Sequence, residues 1–142
     1  MQQHCQQWLE DYGHQHATSL RLHEGVCALA DPQGKELAVI EVPEGSQVVI
    51  LHAPIQPLQE QDSALLPTLL ALNFEMNAMR GCWLALDQQN TLRLCTQQEI
   101  AFLNSDTFAQ WLNGFVQQIH DVKAFVSEMP AMMATSTALA GG

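Results

Sequence analysis

Histidines, cysteines and one pair of adjacent carboxylates are the side chains of this 142-residue chain that could do chemistry. His14 and His16 are two residues apart, and Cys5 follows His4, so each pair could supply two metal ligands. A protein metal site needs three or four converging ligands. The sequence marks no third or fourth ligand beside either pair. We therefore interpret the His14–His16 segment as a solvated polar link and predict no metal site.

Acid–base catalysis is also not indicated. Glu10 and Asp11 are adjacent, and neighbouring residues of a helix point apart, so the two carboxylates would not act on one substrate. His52 and His120 have apolar neighbours, and we expect local hydrogen bonds to satisfy them. The sequence contains no G-x-S-x-G, Walker lysine or G-x-G-x-x-G motif. We predict no catalytic residue and no cofactor, and hence a protein that is not an enzyme.

The four cysteines indicate the compartment. None belongs to a C-x-x-C pair or has the spacing of a zinc knuckle. The N-terminal sequence has neither a basic start nor an apolar run, and no stretch approaches the ~20 apolar residues of a membrane span. We expect free thiols in a reducing cytoplasm and no association with a membrane. Three of the cysteines fall in apolar segments and are predicted to be small core residues: Cys27, Cys82 and Cys95.

The charge of the chain limits the classes of molecule that it is expected to bind. There are 15 acidic and 5 basic side chains, which gives a formal charge of −10 and a pI near 4.7. Nucleic-acid binding needs clustered Lys and Arg, so the composition argues against a nucleic-acid partner. Hydrophobic residues make up 47% of the sequence, enough for a real core. An acidic, soluble domain of this kind suits a neutral or basic polypeptide partner.

The hydrophobic periodicity predicts eight elements in one domain. The expected order is helix, three strands, helix, two strands, helix. The reason is that the repeat of apolar residues alternates along the chain between about 3.6 residues, as in a helix, and 2 residues, as in a strand. Turns with Pro and Gly join the strands, so neighbouring strands are antiparallel. The result is an α+β domain with a five-stranded antiparallel sheet and three helices packed on one face. The predicted spans are 3–13, 26–31, 36–42, 47–53, 63–76, 82–87, 91–96 and about 104–130.

Two boundaries follow from particular residues. Gly13 is expected to end the first helix in a left-handed conformation, and Pro130 is expected to end the last one. The domain is predicted to span 1–128, and residues 129–142 are predicted to form a disordered tail, because this segment is small, uncharged and Gly-terminated.

The second and third strands are apolar on both faces. In the second strand Leu37 and Val39 lie opposite Ala38 and Ile40, and the third strand alternates in the same way. A sheet with one solvated face should alternate apolar with polar residues. We therefore predict that the second face of the sheet meets a partner.

The ordered pattern over residues 3–126 resembles the class I type III secretion chaperones, the Tir chaperone family. VCALADPQGKELAVIEVPEGSQVVILHAPI is similar to the three-strand core of that family. The motif Leu-Leu-x-x-Asn-Phe, formed by Leu69, Leu70, Asn73 and Phe74, is followed by a glycine and a two-strand hairpin. FAQWLNGFVQQIHDVKAFV stands where the family has its closing helix. The long Met/Ala/Gly tail and the Gln-rich first helix depart from the family pattern.

The resemblance implies a cytoplasmic homodimer that binds the N-terminal segment of a secreted effector and keeps it soluble and competent for secretion. It places effector binding on the first helix and the first strands, and the dimer interface on the middle helix and the following hairpin. For each residue an ordinary core position is the alternative. The effector-binding candidates are Trp8, Leu9, Tyr12, Leu37, Val39, Val49 and Leu51, and the dimer candidates are Leu69, Leu72, Met76 and Trp83.

Two other functions stay open at this point. A small-molecule-binding or enzymatic α+β domain could use the apolar sheet face as a pocket, which would need converging polar groups in a cavity. A structural relative of the chaperones could also serve a partner outside secretion.

Overall fold

The structure, a computed structural model, describes the backbone of residues 2–141 and the side chains of residues 2–130. Two short 3₁₀ segments, Glu60–Leu65 and Ile100–Phe102, accompany the helices and strands. The elements are α1 (Gln2–Gln15), β1 (Val26–Ala30), β2 (Glu36–Glu41), β3 (Val48–Pro57), α2 (Leu66–Leu72), α3 (Met76–Met79), β4 (Trp83–Leu86), β5 (Thr91–Glu99) and α4 (Ser105–Gly141). The predicted α+β class and the order of elements are confirmed, with α3 as an addition.

The sheet has five antiparallel strands in the order β1-β2-β3-β5-β4, so β1 and β4 are its edges. The first turn is fixed by Asp31, whose carboxylate accepts hydrogen bonds from the backbone N–H groups of Gln33 and Lys35, both at 2.9 Å. Gly34 and Gly45 have positive φ angles of 83° and 73° in the two predicted turns. These turns return the chain beside itself and produce the meander β1-β2-β3.

The hydrophobic core lies between one face of the sheet and the helices α1 and α4. Phe108, Leu112 and Ile119 of α4 are fully buried at the spacing that the sequence predicted. The two helices are joined by the Trp8 and Phe108 rings, whose centroids are 5.7 Å apart. The packing of these helices on one face is confirmed. The sheet side of the core consists of Cys27, Leu29, Ala38, Ile40, Val49, Leu51, Ala53, Leu84, Leu92 and Leu94.

The middle helix differs from its prediction. A single helix over 63–76 is wrong, because the structure divides this stretch into a 3₁₀ segment, α2 and α3. Pro67 lies in the first turn of α2, where its missing N–H costs no internal hydrogen bond. Glu75 has φ −83° and ψ 78°, which is not helical and separates α2 from α3. The break turns the end of this segment toward β4.

The prolines of β3 do not end it. β3 continues through Pro54 to Pro57, beyond the predicted end at residue 53. The register with β5 shifts between Pro54 and Gln56, and this irregularity accommodates a residue that cannot donate to the ladder.

The last helix continues past Pro130, which the sequence predicted as its end. Met129 belongs to the core and is almost fully buried. The rest of the predicted disordered tail, residues 131–142, falls outside the residues whose side chains the structure describes. Disorder of the tail therefore stays a prediction.

Gly13 is required for its small size and not for a left-handed conformation. The expected left-handed end is wrong, because α1 continues to Gln15 and the positive φ falls on Ala17, at 54°. The Thr18 backbone N–H donates to the Gly13 carbonyl at 2.8 Å, so the chain folds back closely over this helical turn. A Cβ on Gly13 would lie 2.6 Å from the Thr18 carbonyl oxygen.

We expect Gly13→Ala to destabilise the domain by about 1–3 kcal/mol, because the Thr18 backbone would have to move. Better helix propensity would offset about 1 kcal/mol of this loss at most. Urea denaturation measures the change in the free energy of unfolding. Gly114→Ala is the matched control, since a Cβ there meets nothing within 4 Å and should stabilise the helix slightly. Equal stability of the two variants would contradict the close contact.

Candidate protein-binding site

Five large apolar side chains around α2, α3 and β4 are exposed in the single chain. Leu70, Phe74 and Met76 are 69%, 80% and 73% exposed, and Trp83 and Leu86 are partly exposed on the edge strand beside them. We call these five residues the seam. Single exposed apolar residues are ordinary, but several large ones on neighbouring elements are typical of a surface that contacts another molecule.

Asn73 fixes the seam to the edge of the sheet. Its side-chain amide donates to the Leu84 carbonyl at 3.2 Å, and its amide oxygen accepts from the Leu84 N–H at 2.7 Å. The asparagine therefore occupies both outward backbone groups of Leu84, as a neighbouring strand would. This contact holds the end of α2 against β4 and brings Phe74 next to the edge strand. The sequence marked Asn73 as part of a motif but did not reveal this role.

Removing the Asn73 amide should loosen this attachment. We expect Asn73→Ala to lower the free energy of unfolding by about 1–3 kcal/mol, because two backbone groups of Leu84 lose their partner. Asn77→Ala, at an exposed position of α3, is the control and should change stability by less than about 0.5 kcal/mol. Chemical denaturation of both variants measures the difference. A loss no larger than that of the control would show that water replaces the Asn73 side chain.

The four predicted dimer residues are placed differently from one another. Met76 and Trp83 belong to the exposed seam. Leu69 is buried and Leu72 is half-buried, and both anchor this segment to the core of their own chain. The prediction missed Leu70, Phe74 and Leu86. The i, i+4 spacing of Leu70 and Phe74 was the available signal, since it puts both on one helix face.

The sheet face opposite the core helices is a second uncovered surface, which we call the open face. It forms a concavity of about 580 Å³. Its apolar lining comes from β1, β2, β3 and β4 and consists of Val26, Ala28, Val39, Ile50, Trp83, Ala85 and Leu86. Trp83 and Leu86 therefore belong to both surfaces. Because the concavity is shallow and open along one side, it fits an elongated segment better than an enclosed small molecule.

A polar network crosses the middle of the open face. Arg93 donates to His52 Nδ1 from Nε at 3.1 Å and from Nη2 at 2.9 Å. Because Nδ1 accepts these bonds, the proton of a neutral imidazole is on Nε2, which donates to Glu41 Oε1 at 2.9 Å. The guanidinium also lies 3.5 Å from Glu36 and 3.6 Å from Asp87. His52 is hydrogen-bonded as expected, but its partners Glu41 and Arg93 lie on the two neighbouring strands and are not local in the sequence.

Asp87 stays ionised within this network. The Thr91 backbone N–H, together with the Gln89 N–H and Arg93, lowers the pKa of the Asp87 carboxyl. The sequence missed the network because Arg93, Glu36 and Glu41 read as ordinary surface charges. The one feature of the sequence that indicated the network was Arg93. It lies between the core residues Leu92 and Leu94, so its side chain had to be on the opposite face of the sheet.

The predicted effector-binding residues lie mostly in the core. Leu9, Val49 and Leu51 have no exposed area, and Trp8 and Tyr12 are buried between α1 and α4. Contact between these five and a bound segment stays a prediction, and it would require the core helices α1 and α4 to move.

The two remaining candidates lie on β2. Leu37 is half-buried and packs against the core. Val39 lines the open face but is only 6% exposed, so a bound segment would contact little of its side chain.

The described residues offer no catalytic or metal centre of the kinds considered above. Within residues 2–130, no three His, Cys, Asp or Glu side chains converge as metal ligands. The four cysteines are free, and burial raises the pKa of the Cys82 thiol to about 11, which keeps it protonated at neutral pH. In the part of the chain that the structure describes, no helix is both long and apolar enough to cross a membrane.

The comparison with known families decides the relationship of the chain. Residues 7–123 match the Tir chaperone protein (CesT) family. The chain belongs to this family. The match covers both the α1–β3 unit and the seam, so the two uncovered surfaces lie within the family domain. No curated protein sequence matches the chain.

Solved structures with the same fold include complexes of secretion chaperones. The ExsC–ExsE complex has a TM-score of 0.70 at 16% identity and covers 88% of this chain and 92% of that one. The HopA1–SchA chaperone–effector complex has a TM-score of 0.70 at 13% identity, with coverage of 87% and 95%. The Yersinia pestis type III secretion chaperone SycH, in complex with a YscM2 fragment, has a TM-score of 0.56 at 17% identity, with coverage of 82% and 97%. At these identities the likeness shows the fold alone.

Proposed function

We propose that this chain is a chaperone for type III secretion. It binds the N-terminal segment of a secreted effector in extended form, keeps it soluble and releases it for secretion. The proposal is supported by membership of the Tir chaperone family and by two apolar surfaces that one copy of the chain leaves uncovered. The protein binds and does not catalyse, and it acts in the cytoplasm, where effectors are made.

The seam is the proposed dimer interface. A twofold dimer places the same patch of both copies in contact. The seam fits this arrangement because it is compact, apolar and held rigidly by Asn73 on the edge of the sheet. A second copy would remove Leu70, Phe74 and Met76 from water at once, and this burial is the driving force for association.

The edge strand β1 is the proposed place for main-chain contacts with the effector. The Val26 N–H and carbonyl bond to His23 at 3.0 and 2.8 Å and therefore point away from β2. Backbone groups alternate along an antiparallel strand, so those of Ala28 also point outward. A segment added beside β1 could bond to the Ala28 groups while its side chains reach the open face, and the Val26 groups would become available only if His23 moved. At the other edge of the sheet, Asn73 occupies Leu84 in a similar way.

Binding of an unfolded segment suits transport. A segment held in extended form need not be unfolded again before it passes a narrow channel. Its loss of conformational entropy on binding offsets much of the contact energy, so affinity spread over a wide surface remains reversible.

The proposal is tested by purification of the tagged chain from its native host under conditions that induce secretion. The expected result is one predominant co-purifying protein that the host secretes, bound through its N-terminal segment. A strain that lacks the chain should lose secretion of that protein and regain it with the wild-type gene. Secretion that is unchanged in the deletion strain, together with a chain that purifies alone, would contradict the proposal.

A further inference from the structure

The charges of the open face do not balance. Three carboxylates line it, from Glu36, Glu41 and Asp87, against one guanidinium, from Arg93. His52 is neutral in the observed network because its Nδ1 accepts from Arg93 and its Nε2–H donates to Glu41. Three negative charges and one positive charge leave a surplus of two negative charges on a face whose other lining is mostly apolar.

The surplus is located on β2, where Glu36 and Glu41 are the most accessible acidic groups of the network. Their side chains are 45% and 39% exposed, whereas that of Arg93 is 17% exposed. The guanidinium is already shared among His52, Glu36 and Asp87. Each of the two glutamates therefore has carboxylate lone pairs that can accept hydrogen bonds from a molecule bound on the open face.

The position of these glutamates separates them from the seam. The strand order places β3 and β5 between β2 and β4, which is about 14 Å at ~4.8 Å per strand. On the other side, β2 is next to the edge strand β1, where Glu41 pairs with Val26 and Val39 pairs with Ala28. Ala28 is small, so a long side chain from a strand beside β1 can pass over it to β2. A bound segment at this edge reaches the glutamates more directly than a second copy at the seam.

We propose that the open face selects an extended effector segment in which a Lys or Arg is flanked by apolar residues. The apolar side chains cover Val26, Ala28 and Ile50, and the cation pairs with Glu36 and Glu41. The inference rests on the proposed chaperone function and adds the chemical class of the bound segment. It also gives a functional reason for part of the acidic composition of the chain, because a carboxylate-rich face repels acidic segments.

A peptide library displayed on phage and selected on the immobilised chain tests this inference. The expected result is enrichment of peptides that carry a basic residue between apolar ones. The Glu36→Gln/Glu41→Gln variant should still select apolar peptides but lose the preference for a basic residue. The matched control is Glu44→Gln/Glu60→Gln, which removes the same charge from two exposed positions outside the open face and should select as the wild type does.

The affinity of one selected peptide gives the size of the effect. Loss of two partly exposed ion pairs should weaken its binding to the Glu36→Gln/Glu41→Gln variant about tenfold, and 0.5 M salt should weaken binding to the wild type. The position is checked by alkylation, since a bound peptide should slow the reaction of Cys95, which lines the open face.

The outcomes separate this inference from the proposed function. The inference would be overturned if the wild type selected apolar peptides without a preference for a basic residue, or if the two double variants selected the same peptides. Either result would leave the chaperone function intact. Selection of no peptide by the wild type would count against both.

Discussion

Replacement of Phe74 by Asp should convert the proposed seam dimer into monomers. Phe74 is 80% exposed in a single copy, so its burial would come from contact with a second copy. Full burial of a Phe side chain is worth about 1.5–3 kcal/mol, and a twofold interface contains it twice. The loss is therefore roughly 3–6 kcal/mol, which raises the dimer dissociation constant about a hundredfold to ten-thousandfold. An uncompensated carboxylate in the interface adds to this effect.

Sedimentation velocity at micromolar concentration measures the change. Phe102→Asp is the matched control, because Phe102 is 78% exposed and lies outside the seam. The wild type and this control should sediment as dimers, and Phe74→Asp should sediment as a folded monomer, with a native circular dichroism spectrum and a melting temperature lowered by the loss of the dimer. A dimeric Phe74→Asp variant would show that the seam is not the interface.

The second large effect concerns stability. Phe108 is fully buried between the two core helices, where its ring lies 5.7 Å from that of Trp8 and 6.2 Å from that of Trp111. Phe108→Ala should lower the free energy of unfolding by about 3–5 kcal/mol, because it leaves a cavity at the junction of α1, α4 and the sheet. The free energy of unfolding of most small domains is only about 5–15 kcal/mol, so this one change removes a large part of it.

Urea denaturation of Phe108→Ala is compared with that of Phe125→Ala. Phe125 lies on the same helix but is partly exposed, so its removal should cost less than half as much. Both measurements need the same protein concentration, since dimerisation also contributes to apparent stability. A loss for Phe108→Ala below about 1.5 kcal/mol would mean that the α1–α4 junction repacks without a cavity.

The sequence predicted the elements that depend on local patterns. The α4 stripe through Phe108, Leu112 and Ile119 follows a helical repeat and is buried as that repeat predicts, except that Trp111 is only partly buried and Gln118 is buried as well. The turns at Gly34 and Gly45 need positive φ, which glycine adopts at little cost. These signals are contained in short segments, so the class, the order of elements and the pairing of neighbouring strands could be predicted without tertiary information.

The contacts that define the site join residues far apart in the sequence. Arg93 meets His52 across 41 positions, and Asn73 bonds to Leu84 across 11 positions, with the helix break at Glu75 between them. Periodicity does not report such contacts. It also did not show which face of β3 would turn inward, since both are apolar, and Val49 and Leu51 were assigned to the binding surface although they line the core.

The composition of the complex tests the central claim most directly. Native mass spectrometry of the chain, purified with the protein it retains from the host, should show two copies of the 15.7 kDa chain with one effector. The chain alone should give the mass of a dimer. A chain that is monomeric at micromolar concentration and retains no secreted protein would contradict the claim that its exposed seam and open face are sites of protein contact.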